Sequence, residues 1–262
     1  MPHAVNILEL EGLVKTYETG HRALDNLTLR IPQASIFGFI GLNGAGKTTT
    51  IRIVAGLCGP DRGTVRLFGR EMTATDSSYK AEIGFVLDEP LYFDWMSAGD
   101  YLRFVGTMEG LSAGESGKRA AELLEFFDLA PKGDDPIGTF STGMKKKVSL
   151  AAAIIHSPRL IVLDEPLEGI DALAARTIKD TLTLMAGRGT TIFITSHVLD
   201  TVEKFCTHVA IVHQGRILLQ CRTNEIRRKA KGQLENETYA SLEELFVEMV
   251  SGKATKKHLS YL

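Results

Sequence analysis

The 262-residue sequence has few cysteines and no long apolar run. Its three cysteines, Cys58, Cys206 and Cys221, lie far apart without a CxxC pair, so we predict reduced thiols of a reducing compartment and no disulfide framework. No segment approaches the ~18 apolar residues that a membrane-spanning helix needs. The best apolar run, 148–155, predicts a single buried helix. If the protein acts at a membrane, we therefore expect it to do so through a partner protein.

The sequence also lacks an excess of charge of one sign and the features of a secretory signal. The formal net charge is −2, which gives no basic signature of nucleic-acid binding, so no nucleic-acid partner is expected. The first ten residues have neither a basic region nor an apolar core, so no secretion is predicted. Hydrophobic residues make up 44% and charged residues 24%, as in an ordinary soluble globular protein.

Hydrophobic periodicity predicts an α/β fold with two additions. Early alternating segments indicate an antiparallel β subdomain, whereas later strands alternate with helices and indicate a mainly parallel sheet. Residues 89–156 are nearly all helical, which predicts a helical subdomain inserted in a domain spanning 1–222. Residues 223–262 are predicted to form a charge-rich helical extension with a lysine-rich tail. The predicted strands are 6–14, 26–32, 35–40, 64–68, 83–87, 159–163, 190–194, 207–213 and 215–220; the predicted helices are 47–56, 97–110, 117–128, 142–155, 172–187, 198–205, 222–230 and 241–250.

The segment GLNGAGKT, residues 41–48, follows an apolar strand and precedes a helix. This is the pattern G-x-x-x-x-G-K-[ST] in its required setting, where glycines let backbone N–H groups surround phosphates. Lys47 is expected to reach the β- and γ-phosphates, and the Thr48 hydroxyl to bind Mg²⁺. The candidate nucleotide-binding residues of this loop are Gly41, Leu42, Asn43, Gly44, Ala45, Gly46, Lys47, Thr48 and Thr49.

The segment LIVLDEP, residues 160–166, predicts a buried strand that ends in two carboxylates. We expect this strand to lie beside the strand of the phosphate loop, with Asp164 holding Mg²⁺. Adjacent strand residues face opposite ways, so Glu165 is assigned to orienting and polarising the attacking water. A further strand ends at His197, which would lie at the sheet edge where nucleotides bind and could donate a hydrogen bond to the γ-phosphate.

The segment FSTGMKKKVSL, residues 140–150, resembles the signature sequence (commonly LSGGQ) of ATP-binding cassette (ABC) domains. Ser141 is a favoured helix cap, and the helix N-terminus with Gly143 makes a second anion site. The resemblance implies a P-loop NTPase fold, ATP and Mg²⁺ as ligands, and a head-to-tail dimer in which Ser141 and Gly143 of one subunit close on the ATP of the other. Either a homodimer or a heterodimer of cassettes fits.

The same resemblance extends over nearly the whole chain. It implies that Tyr17 stacks on adenine, that 169–171 is the loop crossing the dimer interface, and that His197 is the switch histidine. Asp88 occupies the position where the family usually has glutamine, and is assigned to the metal. Residues 241–250, SLEELFVEMV, resemble the ending of cassettes that pair with separate exporter-type permeases. The implied function is ATP hydrolysis that drives transport from the cytoplasmic face of the membrane.

Several features leave alternatives open. Asp88 replaces an amide by a carboxylate, and Thr142 and Met144 replace the usual glycine and glutamine of the signature. These departures favour a weakly hydrolysing, regulatory cassette as one alternative, and a soluble ABC ATPase acting on nucleic acid or ribosomes is another. Lys145, Lys146 and Lys147 indicate either a solvated helix face or a contact across the dimer. Residues 91–95, LYFDW, indicate a membrane-partner contact or an ordinary helix start.

Overall fold

The computed structural model describes residues 5–73, 78–88, 92–226 and 241–251. Within these ranges the chain forms ten β-strands, which make two sheets, and seven α-helices. The strands are β1 (Asn6–Thr16), β2 (Arg22–Pro32), β3 (Ile36–Ile40), β4 (Arg62–Leu67), β5 (Arg70–Glu71), β6 (Ile83–Val86), β7 (Leu160–Leu163), β8 (Thr191–Ser196), β9 (His208–His213) and β10 (Arg216–Arg222). The helices are α1 (Lys47–Val54), α2 (Ala98–Met108), α3 (Ala113–Phe126), α4 (Thr142–Ile154), α5 (Ala172–Gly187), α6 (Leu199–Phe205) and α7 (Leu242–Ser251).

The central sheet has the order β10-β9-β3-β8-β7-β6, and only β10 runs antiparallel to its neighbour. The residues of β3, β7 and β8 are all buried, as expected for parallel strands covered on both faces. The sequence placed the strand of Asp164 beside the strand of the phosphate loop, and this is wrong. Strand β8 pairs with both β3 and β7, so the strand that ends at His197 lies between them.

The second sheet is antiparallel, in the order β2-β1-β4-β5, as predicted from the early alternating segments. Leucines of β1 and β2 pack with Phe37, Phe39 and the apolar residues of α1 in one buried cluster. Strand β2 starts at Arg22, four residues before the predicted start at 26, because Lys15 pairs with Leu24 and Thr16 with Arg22. The pairing brings the end of β1, and with it Tyr17, next to the phosphate loop.

Helices α2, α3 and α4 fall within the stretch predicted to be helical, although the division of the chain at 222 stays a prediction. Each begins after a serine, at 97, 112 and 141, whose hydroxyl accepts a hydrogen bond from the backbone N–H three residues on. The cap at Ser112 starts α3 at Ala113, four residues before the predicted start at 117. The helix predicted from 222 is wrong at its start, because Arg222 still pairs with His208 in the sheet.

The C-terminal helix α7 packs onto the main domain. Its residues Leu242 and Leu245 share a buried cluster with Val202 and Cys206 around α6, and the Leu242 N–H donates to Glu203 Oε2 at 3.0 Å. None of the three cysteines, which all lie in the described ranges, forms a disulfide, and burial raises the pKa of the Cys206 thiol to about 12. The lysine-rich tail lies outside the described residues.

A half-buried histidine gives this fold a pH dependence. Burial lowers the pKa of His156, which follows α4, although the carboxylate of Glu109 opposes the shift. The unfolded chain then binds a proton at about pH 6.5 and the folded chain only at a lower pH, so the free energy of unfolding falls as the pH drops below about 6.5. We expect His156→Gln to lessen the fall between pH 7 and 5.5, measured by urea unfolding at both pH values. An identical fall in both proteins would contradict this account.

Candidate active site

A cavity of about 500 Å³ lies where β3, β7 and β8 end. It brings together most of the residues that the sequence singled out, together with His21, Ala23 and Glu168, which it did not. The predicted residues that line it are Tyr17, Leu42, Asn43, Gly44, Gly46, Lys47, Thr48, Thr49, Asp88, Asp164, Glu165 and His197. Gly41 and Ala45 are buried in the same loop without lining the cavity. The signature residues Ser141 and Gly143 are not part of this lining.

The loop 41–48 has the geometry of an anion site. Gly44 and Gly46 have φ of +78° and +111°, values that other residues rarely adopt. Gly41 is needed for a different reason, since a Cβ there would lie 2.5 Å from the Val212 carbonyl oxygen. Helix α1 begins at Lys47 and carries no acidic side chain in its first turn. Its positive end therefore favours a negatively charged group, such as a phosphate, within the loop.

The two carboxylates after β7 have different partners. Asp164 is buried, its N–H donates to the Val86 carbonyl at 2.8 Å, and its Oδ1 accepts the Thr195 hydroxyl at 2.5 Å. Glu165 has a φ of +45°, a left-handed conformation that costs a non-glycine residue on the order of 1–3 kcal/mol. Both residues follow the end of β7 at Leu163 and both line the cavity, so the prediction that strand alternation directs their side chains to opposite faces does not apply.

The Glu165 side chain lies between a cation and an imidazole. Its Oε1 is 3.4 Å from Lys47 Nζ and its Oε2 is 3.1 Å from His197 Nδ1. The carboxylate side chain is 11% exposed, whereas His197 is 45% exposed. Lys47 Nζ also donates to the Gly41 carbonyl at 2.8 Å, which fixes it under the loop. A sheltered, precisely held carboxylate beside a phosphate site is suited to binding and deprotonating a water molecule.

Two residues that the sequence analysis did not assign hold the Glu165 backbone. The Glu165 N–H donates to Thr195 Oγ1 at 3.0 Å, and the Glu165 carbonyl accepts from Lys146 Nζ at 3.0 Å. Thr195 lies two residues before His197, so both are expected on the same side of β8. That spacing was the available signal for Thr195.

The oxygen atoms near the loop fit a hard divalent cation. The donors assigned to the metal are the exposed Thr48 hydroxyl, the exposed Asp88 carboxylate and the buried Asp164 carboxylate. Oxygen ligands of this kind are those that Mg²⁺ prefers. Asp88 Oδ1 also has a cation near it, since it lies 3.9 Å from Lys146 Nζ. Asp88 is therefore in contact with both the cavity and the start of α4.

Tyr17 lies at the rim of the cavity. Its hydroxyl is 3.2 Å from Thr49 Oγ1 on α1, and its ring is half-buried. The hydrogen bond fixes the ring beside the helix that follows the phosphate loop. An aromatic ring held in this way is suited to stacking on a planar base.

The signature segment forms a second helix N-terminus outside the cavity lining. Ser141 is exposed and accepts from the Met144 N–H at 3.3 Å. Gly143 is buried against α5, where an added Cβ would lie 3.1 Å from Ala174 Cβ. Asp171 begins α5, and the N–H groups of Ala174 and Leu173, with the Ala174 bond the stronger influence, hold its pKa below the usual range.

The lysine run beside the signature is only partly solvated. Lys146 is 7% exposed, and Lys147 Nζ donates to the Phe127 carbonyl at 3.0 Å. Lys145 Nζ lies 3.8 Å from Asp94 Oδ1. The solvated-face interpretation is therefore wrong for Lys146, whereas the side chains of Lys145 and Lys147 stay partly exposed. Whether any of them also contacts another subunit stays a prediction.

Within the described ranges, every helix is too short or too polar to span a bilayer.

Comparisons with known proteins agree on one family. The family described as "ABC transporter" matches residues 24–168. The daunorubicin/doxorubicin resistance ATP-binding protein DrrA of Streptomyces peucetius is 34% identical over 84% of this chain and 66% of its own length. The linearmycin resistance ATP-binding protein LnrL of Bacillus subtilis (strain 168) is 35% identical over 81% and 68%. A solved "ATP binding subunit of ABC transporter" superposes with a TM-score of 0.83 and 31% identity, covering 93% of this chain and 99% of that one.

Proposed function

The chain belongs to the family of ABC transporter ATP-binding subunits, and from that premise we propose that it hydrolyses ATP to drive export through a separate membrane-spanning subunit. The observation that carries the proposal is the Glu165 carboxylate, which is held between Lys47 and His197 behind the phosphate loop. The direction of transport rests on two relatives named as resistance proteins and on the exporter-like residues 241–250.

In the proposed hydrolysis reaction, the residues of the cavity have separate roles. The loop N–H groups and Lys47 bind the β- and γ-phosphates, and Tyr17 supports the base. Glu165 orients a water molecule and accepts its proton as the water oxygen bonds to the γ-phosphorus and the bond to the bridging oxygen breaks. The products are ADP and phosphate. Since His197 Nδ1 faces Glu165, its Nε2 is the nitrogen that can donate to the γ-phosphate.

The metal-binding part of the proposal uses oxygen donors alone. Thr48, Asp88 and Asp164 would hold Mg²⁺, whose positive charge neutralises the phosphate oxygens when it is bound. The carboxylate of Asp88 stands where the family usually has an amide, so this chain would offer one more negative charge to the metal. The presence of Lys47, Thr48, Asp164, Glu165 and His197 along one cavity favours an active site over the weakly hydrolysing alternative, which predicts little turnover.

A head-to-tail pair of subunits is proposed because the signature of a chain lies outside the lining of the cavity that contains its phosphate loop. Ser141 and Gly143 are absent from the cavity lining, and Ser141 is exposed at the N-terminus of α4. Such a helix end favours a phosphate brought by another subunit. The partner is a second copy of this chain or a similar cassette.

The helical insert carries an exposed aromatic surface that suits the membrane subunit. We define the aromatic patch as Phe93, Trp95, Phe104 and Met108, which are 46%, 74%, 42% and 71% exposed. The ring centroids of Trp95 and Phe104 each lie 5.9 Å from that of Phe93. Exposed apolar patches mark contact sites, so we assign this one to a cytoplasmic loop of the permease. Of the predicted contact 91–95, residue 91 lies outside the described residues.

The test is affinity purification of the tagged protein from detergent-solubilised membranes of its own cell, with and without ATP. Recovery of a polytopic membrane protein in similar amount supports the transporter proposal and places this subunit at the cytoplasmic face of the membrane. If ribosomal or DNA-associated proteins are recovered and no membrane protein is, the transporter proposal fails in favour of the soluble alternative.

Trp95→Ser is expected to lower recovery of the membrane protein by about tenfold, because exposed tryptophans commonly dominate the free energy of binding at interfaces. The ATPase rate of the isolated subunit should not change, since Trp95 does not line the cavity. Phe126→Ser is the matched control, because Phe126 is a 49% exposed aromatic residue on α3 outside the patch. Equal recovery with both variants would remove the patch from the proposed interface.

A further inference from the structure

Lys146 is a buried cation that the proposed mechanism does not use. Among the described residues, Lys47 and Lys146 are the lysines with less than a tenth of their surface exposed, at 6% and 7%. Lys47 belongs to the phosphate loop. Lys146 lies instead on α4, five residues after the Ser141 cap. A buried ammonium group loses hydration, so it persists only where partners hold it.

The partners of Lys146 are both parts of the cavity. Its Nζ donates to the Glu165 carbonyl oxygen at 3.0 Å and lies 3.9 Å from Asp88 Oδ1. If Lys146 served only packing, its positive charge would not need to lie beside the Glu165 carbonyl oxygen and the Asp88 carboxylate. The contacts join α4 to the turn after β7 and to the residue after β6.

The Glu165 carbonyl matters because Glu165 holds an unfavourable conformation. Its φ is +45°, and the peptide before it is fixed by the hydrogen bond from its N–H to Thr195 Oγ1. The Lys146 bond fixes the peptide after it. Turning either peptide toward ordinary angles would carry the carboxylate away from Lys47 and His197.

We propose that Lys146 is a positioning residue for hydrolysis, which holds Glu165 in its left-handed conformation and ties the orientation of its carboxylate to the position of the signature helix of the same chain. The inference rests on the proposed ATPase function. Because Ser141, Gly143 and Lys146 lie on one helix, a displacement of α4 by a second subunit or by the permease would reach Glu165 through Lys146. Hydrolysis would then respond to the placement of the helical insert within its own subunit.

The experiment measures ATP turnover and nucleotide affinity of the full chain with Lys146→Met, which keeps the length of the side chain and removes the charge. A displaced carboxylate should lower kcat by about tenfold or more while KM changes less than threefold. Lys146→Arg should restore at least half of the loss, because the guanidinium can still donate to the carbonyl. The matched control is Lys147→Met, since Lys147 donates to the Phe127 carbonyl and not to Glu165.

A double-mutant cycle separates positioning from a general loss of structure. If Lys146 acts through Glu165, then Lys146→Met should cause no further loss in a Glu165→Gln protein. A turnover of Lys146→Met within twofold of wild type overturns the inference, as does an equal loss in Lys147→Met or a further tenfold loss in the Glu165→Gln background. If the wild-type chain does not hydrolyse ATP, both the proposed function and this inference are wrong. If the wild-type chain hydrolyses ATP and Lys146→Met hydrolyses it equally fast, only the inference is wrong.

Discussion

Glu165→Gln is expected to lower ATP turnover by about 10²-fold or more while ATP binding stays intact, because the amide keeps the shape of the side chain and cannot accept the proton of the water. The hydrogen bond toward His197 can persist, and the positive charge of Lys47 is no longer balanced by Glu165, so affinity for ATP should not fall. Turnover is measured by phosphate release, and binding by titration with a fluorescent ATP analogue.

The matched control is Glu122→Gln, which removes a 63% exposed carboxylate on α3 away from the cavity. It should hydrolyse ATP at the wild-type rate. The Glu165 variant should also accumulate as a dimer in the presence of ATP, because the nucleotide that bridges the subunits is not consumed. Unchanged turnover of the Glu165 variant would end its assignment as the residue that activates water.

Lys47→Ala is expected to abolish tight ATP binding and hence hydrolysis. Lys47 supplies the buried positive charge beneath the loop, with its Nζ bonded to the Gly41 carbonyl and 3.4 Å from the Glu165 carboxylate. Without it, the Glu165 and Asp164 carboxylates would face the phosphates of ATP with less compensation. Repulsion then adds to the lost attraction, so the expected effect is larger than the loss of one hydrogen bond.

The measurement is a titration of ATP binding at constant salt, with Lys118→Ala as the matched control. Lys118 is a 76% exposed lysine on α3, so its loss should not change the affinity. Thermal unfolding of each variant checks that the fold is kept. Micromolar binding retained by Lys47→Ala would contradict the assignment of the loop as the phosphate site.

The sequence was sufficient for the parts of the site that are contiguous in the chain. The loop 41–48 and the carboxylates 164 and 165 each need specific residue types at fixed spacing, because the backbone itself forms the site. His197 could be placed since it ends a recognisable apolar strand. The α/β fold class could also be predicted, because the alternation of apolar residues in strands and their helical period in helices are local features of the sequence.

The parts that depend on distant pairing could not be predicted. The position of β8 between β3 and β7 depends on its pairing with β3, which lies more than a hundred residues earlier in the chain, and no local pattern encodes that pairing. Lys146 illustrates the same limit, since three adjacent lysines look alike in sequence. Lys146 is buried because it lies three residues after Gly143, on the face of α4 that is packed against the rest of the protein. The left-handed backbone conformation of Glu165 likewise could not be predicted, because glutamate as a residue type does not favour it.

The composite site is tested most directly by mixing two inactive variants, Lys47→Ala and Ser141→Arg, and measuring ATP turnover against each alone. In a head-to-tail mixed dimer, the intact loop of one chain meets the intact signature of the other, so turnover should return to about a quarter of the wild-type rate if pairing is random. If the mixture is as inactive as its components, the loop and signature do not work across two chains, and the proposed dimer is wrong.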